Sequence, residues 1–162
     1  DDYPLDSFCA ALKSFGTRFG VQVYLEPGEA AITQSNELVT TVQDVVHNGI
    51  DIAIIDASME AHTLDHLIYR TSPRINHPAP GPYRYMIAGR SCLAGDVFGT
   101  YSFASKLKPG SMVRIADAAG YTMVKKNWFN GLSMPSIAVK RLSGKVETVR
   151  TFDYRHFLNN LS

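Results

Sequence analysis

Two residues that can take part in acid–base chemistry lie close together in segment 89–99, which reads GRSCLAGDVFG. Cys92 can give or accept a proton or act as a nucleophile, and Asp96 can accept hydrogen bonds or bind a cation. Glycines on both sides allow the backbone to turn tightly. Two interpretations follow from these residues alone. The segment is either a loop that presents a thiol and a carboxylate to a reaction, or a turn around a cysteine buried as a small apolar side chain.

A second candidate group lies in segment 24–30, YLEPGEA, which includes the end of a short apolar run. Gly28 leaves backbone N–H groups open to an anion, and the Glu26 carboxylate can pair with a cationic ring nitrogen. An ordinary turn with a surface glutamate is the alternative. Asp56 ends another apolar run, where a carboxylate can bind an amine or cap the end of a strand.

Aromatic and histidine side chains give weaker signals. Tyr121 can offer its hydroxyl to a phosphate or pack as a barrel aromatic with that hydroxyl satisfied. Phe129, next to Trp128, can form an aromatic wall or part of the core. His62 and His66 have the i, i+4 spacing of metal ligands on a helix, but no third ligand is near in the sequence, which favours a core or surface pair.

The composition is that of a globular chain whose partners are small molecules or proteins. It has 162 residues, 45% of them hydrophobic, and a net charge of +1 with the cations scattered, which argues against nucleic acid or a membrane as partner. No apolar run is long enough to span a bilayer and no signal peptide is recognisable, which predicts a cytoplasmic protein. Cys9 and Cys92 form neither a disulfide framework nor a zinc pattern, so no metal is predicted.

One helix and a series of short strands must position these residues. Apolar residues at intervals of three and four predict an amphipathic helix over Leu5–Phe19, followed by a strand over Val21–Leu25. Asn48-Gly49 predicts a hairpin, and 153–160 a short terminal helix. The other predicted strands cover 37–46, 50–55, 67–70, 83–88, 111–116, 121–124, 136–142 and 146–152, and the proline-rich segment 71–82 is predicted as a surface loop or a lid.

This order of elements predicts two parts. Several short strands separated by turn residues predict a mainly β domain, a barrel or sandwich, over 31–162. Residues 1–30 form a single helix and strand, and 31–45 can be shared at the boundary. Because one such unit cannot bury both of its faces, we expect the sequence to begin within a larger domain.

Four segments, in this order, resemble the C-terminal half of the fold-type III pyridoxal-phosphate-dependent decarboxylases, the group of ornithine and diaminopimelate decarboxylases. They are YLEPGEA (24–30), DIAIIDASMEAH (51–62), AGRSCLAGDVFG (88–99) and AAGYTMVKKNWFNGL (118–132). EPGEA together with CLAGD is similar to the branch of the family that acts on carboxynorspermidine and carboxyspermidine. The resemblance implies that residues 1–30 are the last helix and strand of a (β/α)8 barrel.

The resemblance also implies a cofactor and its ligands. Pyridoxal 5'-phosphate would be bound with Glu26 at its ring nitrogen and with Gly28 and Tyr121 at its phosphate. Cys92 would be the catalytic acid that returns a proton after carbon dioxide leaves. The implied reaction is decarboxylation to norspermidine or spermidine in polyamine biosynthesis.

Three further residues are implied on the substrate side. Asp56 would hold the distal amine of a polyamine-like carboxylated substrate, and Phe129 would line the same site. Asp96 would organise the dimer-facing edge of the Cys92 loop, because in this family that loop enters the neighbouring subunit. The implied partner is therefore a second copy of the chain, in a homodimer with shared active sites.

Departures from the relatives and a missing group leave alternatives open. Glu29 stands where ornithine and diaminopimelate decarboxylases carry Arg, so the cofactor phosphate would lose an ionic partner. Leu93 stands where they carry an acidic residue, which indicates a differently placed substrate amine. The cofactor-binding lysine is expected upstream, since Lys13 lies on the opening helix. A noncatalytic dimerising or binding module and a related basic amino-acid decarboxylase are the alternatives. One methylene separates carboxynorspermidine from carboxyspermidine, so the residues do not choose between them.

Overall fold

The structure is a computed structural model that describes residues 3–76 and 81–161. The chain falls into two compact units, Asp1–Ala31 and Ile32–Ser162. Within the described ranges, every helix is too short or too polar to cross a membrane.

The first unit contains helix α1 (Leu5–Phe19) and a short 3-10 helix (Gly28–Ala31). Helix α1 has the predicted limits and ends at Gly20, whose left-handed conformation (φ 61°) turns its N–H back onto the last turn. The predicted strand at Val21–Leu25 is wrong, because residues 21–27 have no regular secondary structure. A strand is defined by its pairing, and none of the described strands pairs with this segment.

The second unit is built on a mixed five-stranded sheet. The strands of the unit are β1 (Glu37–His47), β2 (Asp51–Ile55), β3 (Tyr83–Ala88), β4 (Val97–Phe103), β5 (Met112–Ala116), β6 (Ile137–Lys140) and β7 (Val146–Arg150). Five of them form one sheet in the order β4-β3-β2-β1-β5, and β6 and β7 form a separate antiparallel ribbon. The prediction of a mainly β domain is confirmed.

Strands β1 and β2 form the predicted hairpin, with His47 paired to Asp51 across the Asn48-Gly49 turn. Strand β3 pairs parallel to β2, so the chain has to cross from one end of the sheet to the other between them. This crossover contains helices α2 (Met59–His62) and α3 (Leu64–Tyr69). Helix α2 therefore lies just beyond the end of β2.

Two segments that were predicted as strands are helical. Residues 67–70 are the end of α3 and its cap, and residues 121–124 lie in helix α4 (Gly120–Lys125). Helix α4 packs against α2 and α3, with Thr122 buried. This packing overrides the strand preference of β-branched side chains, which is strongly dependent on context.

Strand β4 is missing from the sequence prediction, which treats the chain up to Gly99 as a loop. It pairs antiparallel with β3, from Tyr83 opposite Phe103 to Ala88 opposite Val97. A Cβ at Gly99 would lie 2.8 Å from the Ser72 Oγ and 2.9 Å from the Tyr101 hydroxyl. This glycine therefore marks close packing within a strand rather than a turn.

The described part of the proline-rich segment is tied to the sheet rather than forming a surface excursion. Pro73 is buried, and Ile75 forms a β-bridge with Ile115 of β5. The N–H of Asn76 donates to the Arg114 carbonyl oxygen at 2.8 Å. The prolines at 78 and 80 lie outside the described residues.

The core of the second unit is formed by apolar side chains of the five-stranded sheet. The largest fully buried ones are Phe98, Ile55, Ile87, Ile115, Val42 and Val113. A separate aromatic cluster forms where helix α5 (Tyr154–Leu161), the predicted terminal helix, meets Trp128. The Trp128 ring centroid lies 6.3 Å from that of Phe152 and 5.9 Å from that of Phe157.

Candidate functional site

Cys92 lies in the loop between β3 and β4, and it is exposed with a free thiol. The interpretation as a buried apolar cysteine is therefore wrong. The N–H of Gly89 donates to the Asp96 carbonyl oxygen at 2.7 Å, which closes the base of the loop. The N–H of Arg90 donates to the Ala57 carbonyl oxygen at 3.1 Å, which fixes the loop to the segment that follows β2.

Asp96 holds this loop from inside. It is 6% exposed, and its Oδ1 accepts the N–H of Met59 at 2.7 Å. Its Oδ2 accepts the N–H of Ser91 at 3.0 Å and the Ser91 hydroxyl at 2.6 Å. These contacts support the organising role of Asp96. A substrate contact by Asp96 stays a prediction, and it would compete with the hydrogen bonds that both oxygens already accept.

Asn130 contacts Cys92 directly and is not among the site residues predicted from the sequence. The N–H of Cys92 donates to Asn130 Oδ1 at 2.7 Å, and Asn130 Nδ2 donates to Cys92 Sγ at 3.2 Å. Asn130 follows the half-buried Phe129 and has a left-handed backbone (φ 57°). The Asn-Gly pair after the aromatic residues is the signal that could have identified this turn.

The turn that carries Asn130 is anchored on α2. The N–H of Asn127 donates to the Ala61 carbonyl oxygen at 2.9 Å, and its Nδ2 donates to the Glu60 carbonyl oxygen and to Glu60 Oε1, each at 3.1 Å. Asn127 Oδ1 accepts the N–H of Phe129 at 2.8 Å. Helix α2 thus supports both the Cys92 loop and the turn that contacts it.

Asp56 lies directly after β2, as predicted, and is half-buried. Its Oδ1 accepts the N–H of Thr41 at 2.8 Å, and its own N–H donates to the Thr41 carbonyl oxygen at 3.0 Å. Its Oδ2 accepts no hydrogen bond from the described residues. The structure therefore contains both features that the sequence left as alternatives, a cap at the strand end and a carboxylate oxygen that can receive an ammonium group.

His62 and His66 do not act as a pair on one helix. His62, on α2, is 4% exposed, and its Nδ1 accepts the N–H of Ser58 at 3.1 Å. Burial lowers the pKa of His62; the Ser133 carbonyl, Asp56 and Asp96 oppose this shift and Arg90 adds to it. Its Nε2 has no hydrogen bond of normal geometry with the described residues. His66, on α3, instead contacts Thr71 Oγ1 at 2.8 Å.

The remaining candidates, two side chains and one backbone N–H, have the chemistry that a phosphorylated pyridine requires. In the first unit, Glu26 is exposed, and Gly28 has a left-handed backbone (φ 55°). Among the described residues, no atom lies within 4 Å of a Cβ added at Gly28. In the second unit, Tyr121 is 56% exposed in the first turn of α4, and Lys125 Nζ lies 4.9 Å from its ring centroid. A carboxylate suits a ring N–H, and a backbone N–H and a phenol suit a phosphate, so the chemistry of each residue taken by itself fits the implied cofactor.

Comparisons with known proteins identify relatives of the chain. A carboxynorspermidine/carboxyspermidine decarboxylase of Herminiimonas arsenicoxydans is 48% identical over 160 residues, which are 99% of this chain and 44% of that protein. A carboxyaminopropylagmatine decarboxylase of Synechocystis sp. is 35% identical over 164 residues, covering 98% of this chain and 42% of that protein. The chain therefore spans less than half the length of these relatives.

Solved structures and a family model agree with these relatives. The crystal structure of carboxynorspermidine decarboxylase complexed with norspermidine from Campylobacter jejuni has a TM-score of 0.87 and 33% identity, covering 99% of this chain and 47% of that one. A family model described as pyridoxal-dependent decarboxylase, C-terminal sheet domain, matches residues 32–119, more than half of the chain. The resemblance seen in the four motifs is confirmed, and the chain belongs to the pyridoxal-dependent decarboxylases, of which it contains the C-terminal sheet domain.

Proposed function

We propose that this chain is the C-terminal part of a carboxy-lyase that converts carboxynorspermidine or carboxyspermidine to norspermidine or spermidine. The observation that carries the proposal is the exposed Cys92 thiol, held at a fixed place by the Asp96 and Asn130 side chains. The relative from Herminiimonas arsenicoxydans, 48% identical over nearly the whole chain, supports the choice of substrate.

Three residues of this chain would hold the cofactor, pyridoxal 5'-phosphate. Glu26 would accept a hydrogen bond from the protonated ring nitrogen, and Gly28 N–H and the Tyr121 hydroxyl would donate to the phosphate. When bound, the cofactor supplies an electron sink for the electron pair that stays behind as carbon dioxide leaves. Glu29 adds no positive charge at this position, so backbone and phenol donors carry the phosphate contacts.

Cys92 supplies the proton that completes the reaction. The bond between the α-carbon and the carboxylate breaks, carbon dioxide departs, and the Sγ–H bond of Cys92 breaks as a new C–H bond forms at that carbon. The thiolate then takes a proton from water. The net change is loss of one carbon dioxide and uptake of one proton, so no oxidant or reductant is needed.

The substrate side needs a carboxylate for an amine far from the reacting carbon. Asp56 is suited to this role because its Oδ1 is engaged by Thr41 and its Oδ2 accepts no hydrogen bond from the described residues. An ammonium group at Oδ2 would form a charge-assisted hydrogen bond, stronger than one between neutral groups. Phe129, beside Asn130, offers an aromatic face for the methylene chain.

The assembly and location of the protein are part of the same proposal. The protein would be a cytoplasmic homodimer whose Cys92 loop completes the site of the neighbouring subunit. The exposed position of this loop is compatible with a role at a subunit interface.

A second substrate has support from the relative in Synechocystis sp., which is named for carboxyaminopropylagmatine. That substrate shares the α-amino acid end and differs at the distal end, where agmatine carries a guanidine. The chemistry assigned to Cys92 is the same for both, and the contact at Asp56 would differ.

The test is a turnover assay on the intact protein that contains this chain, supplied with pyridoxal 5'-phosphate. Carbon dioxide and amine product are measured with carboxynorspermidine, carboxyspermidine and carboxyaminopropylagmatine as separate substrates. We expect equal amounts of carbon dioxide and norspermidine or spermidine. Turnover of the agmatine derivative alone would select the second substrate, and no carbon dioxide from any of the three would refute the enzyme and favour a binding module.

A further inference from the structure

Asn130 makes two hydrogen bonds with Cys92, one to each end of the residue. Its Oδ1 accepts the backbone N–H of Cys92 at 2.7 Å, and its Nδ2 donates to Sγ at 3.2 Å. The two residues are 38 positions apart in the chain. The backbone and the thiol of Cys92 are therefore held by one side chain from another segment.

The orientation of the Asn130 amide follows from the first hydrogen bond. A backbone N–H can only donate, so the oxygen of the amide must face it, and this leaves the NH2 group facing Sγ. The turn that carries the amide is itself fixed, since Asn130 (φ 57°) and Gly131 (φ 65°) are both left-handed. The contact between Asn127 Oδ1 and the N–H of Phe129 fixes the preceding residue.

We propose that Asn130 is a positioning residue for Cys92. Its hydrogen bonds with the N–H and Sγ of Cys92, here called the clamp, orient the thiol and stabilise the thiolate formed when the proton has been donated. The use of this clamp in catalysis rests on the proposed decarboxylation. The contact itself is a property of the chain. Three residues therefore have different roles at this loop. Cys92 donates the proton, Asp96 holds the loop in place, and Asn130 holds the sulfur atom in place.

The physical reason is the difference between a thiol and a thiolate as hydrogen-bond acceptors. An N–H group donates weakly to a neutral thiol and strongly to the anionic sulfur. The Nδ2 donor therefore stabilises the sulfur once its proton has been transferred. Water can replace this donor only in part, because it is not held at the same place.

Two substitutions separate the two hydrogen bonds. Asn130→Asp keeps an oxygen for the Cys92 N–H but replaces the NH2 donor by an anionic oxygen. Asn130→Gly removes both contacts and retains the left-handed backbone without strain. Asn48→Asp, in the exposed β1–β2 turn, is the matched control for an added charge.

The measurement is the rate at which iodoacetamide alkylates Cys92 in the intact protein, followed by peptide mass spectrometry as a function of pH. Only the thiolate reacts, so the rate near neutral pH divided by the plateau rate at high pH reports thiolate formation and is insensitive to a change in access. We expect this ratio to fall roughly threefold in Asn130→Gly and roughly tenfold in Asn130→Asp. Asn48→Asp should match the wild type.

The proposal is overturned if both Asn130 variants, folded by circular dichroism, keep the wild-type alkylation profile. Turnover gives a second readout, with kcat lowered in both variants and KM changed less than about twofold. A shifted alkylation profile in a protein that releases no carbon dioxide would sustain the clamp and refute the decarboxylase. An unshifted profile in an active enzyme would refute the clamp and sustain the decarboxylase.

Discussion

The Cys92 loop is held by a carboxylate that leaves no space for a side chain at Gly89. A Cβ on Gly89 would overlap the carboxylate group of Asp96. That carboxylate cannot move away without losing its contacts with Met59 and Ser91. Gly89, the first glycine of the motif, is thus required because a Cβ at this position has no space. The conformation of the loop depends on the buried Asp96 carboxylate.

Replacing Gly89 by alanine should destabilise the fold by about 3 kcal/mol through this overlap. Gly49 is the matched control, since a Cβ there would meet no atom of the described part of the chain within 4 Å, and an alanine would be strained only by the left-handed backbone (φ 71°). Gly49→Ala should cost about 1 kcal/mol. Urea unfolding curves of both variants measure the difference, and equal losses of stability would contradict the close packing of Gly89 against the Asp96 carboxylate.

His62 should make the stability of the fold depend on pH. Burial lowers the pKa of His62 in the folded state, while in the unfolded chain its pKa is about 6.5. Below that pH the unfolded chain binds a proton at His62 and the folded protein does not, so the free energy of unfolding falls as the pH falls. This contribution is fully present above about pH 6.5.

The matching variant is His62→Asn, whose side-chain oxygen can still accept the N–H of Ser58. We expect the loss of stability between about pH 7.5 and about pH 5.5 to be smaller in this variant than in the wild type. Urea unfolding at the two pH values measures both losses. The assignment fails if wild type and variant lose the same free energy.

Among the elements, the short helix α2 connects the parts of the site. The N–H of Met59 reaches the Cys92 loop through Asp96, and the carbonyl oxygens of Glu60 and Ala61 reach the Asn130 turn through Asn127. Helix α5 covers the same turn from the other direction, because a Cβ on Gly131 would lie 3.7 Å from the Phe157 ring. The relative position of Cys92 and Asn130 is therefore set by helices α2 and α5.

Phe157→Ala should loosen the Trp128 cluster. The lost ring contact should cost about 2 kcal/mol, less than for a fully buried phenylalanine because Phe157 is only half-buried. Trp128, the single tryptophan of the chain, should then emit at longer wavelength as water reaches it. Leu161→Ala, on an exposed position of the same helix, should change neither quantity. An unchanged emission in Phe157→Ala would show that α5 does not shield the turn.

The sequence predicts the elements that depend on local patterns. Helix α1 and the β1–β2 hairpin are readable because three-and-four spacing and an Asn-Gly turn are local signals. Helix α4 cannot be predicted in this way because it depends on packing against α2 and α3. Strand β4 cannot be predicted in this way because it depends on close contacts at Gly99. The predicted strand at Val21–Leu25 shows the opposite case, an apolar run without a described partner strand.

In the candidate site too, features that depend on local sequence could be predicted, and features that depend on contacts between distant segments could not. Cys92 and Asp96 are adjacent in one motif, so their grouping follows from the sequence. The contact between Cys92 and Asn130 joins segments 38 residues apart, and no local pattern encodes it. The burial of Asp96 also depends on α2, which the sequence analysis did not predict.

For the whole molecule, the chain covers less than half the length of its relatives. We propose that the active site is shared between two subunits. Two variants of the intact protein, Glu26→Gln and Cys92→Ala, should each be nearly inactive, for different reasons. If Glu26 and Cys92 serve one site from two subunits, each mixed dimer has one site with both wild-type residues and one site with both substitutions. Co-refolding equal amounts should restore about a quarter of wild-type activity, while each variant refolded alone stays inactive. Activity no higher than the average of the two variants would argue against shared sites.

The role of Cys92 as proton donor is tested most directly by turnover of Cys92→Ala in the intact, cofactor-loaded protein with carboxynorspermidine. We expect kcat to fall about 100-fold, the scale of a lost general acid, with norspermidine no longer formed in equal amount to carbon dioxide. Cys9→Ala, which removes the other exposed thiol, should retain wild-type turnover. Wild-type turnover and equal amounts of amine and carbon dioxide in Cys92→Ala would contradict the account.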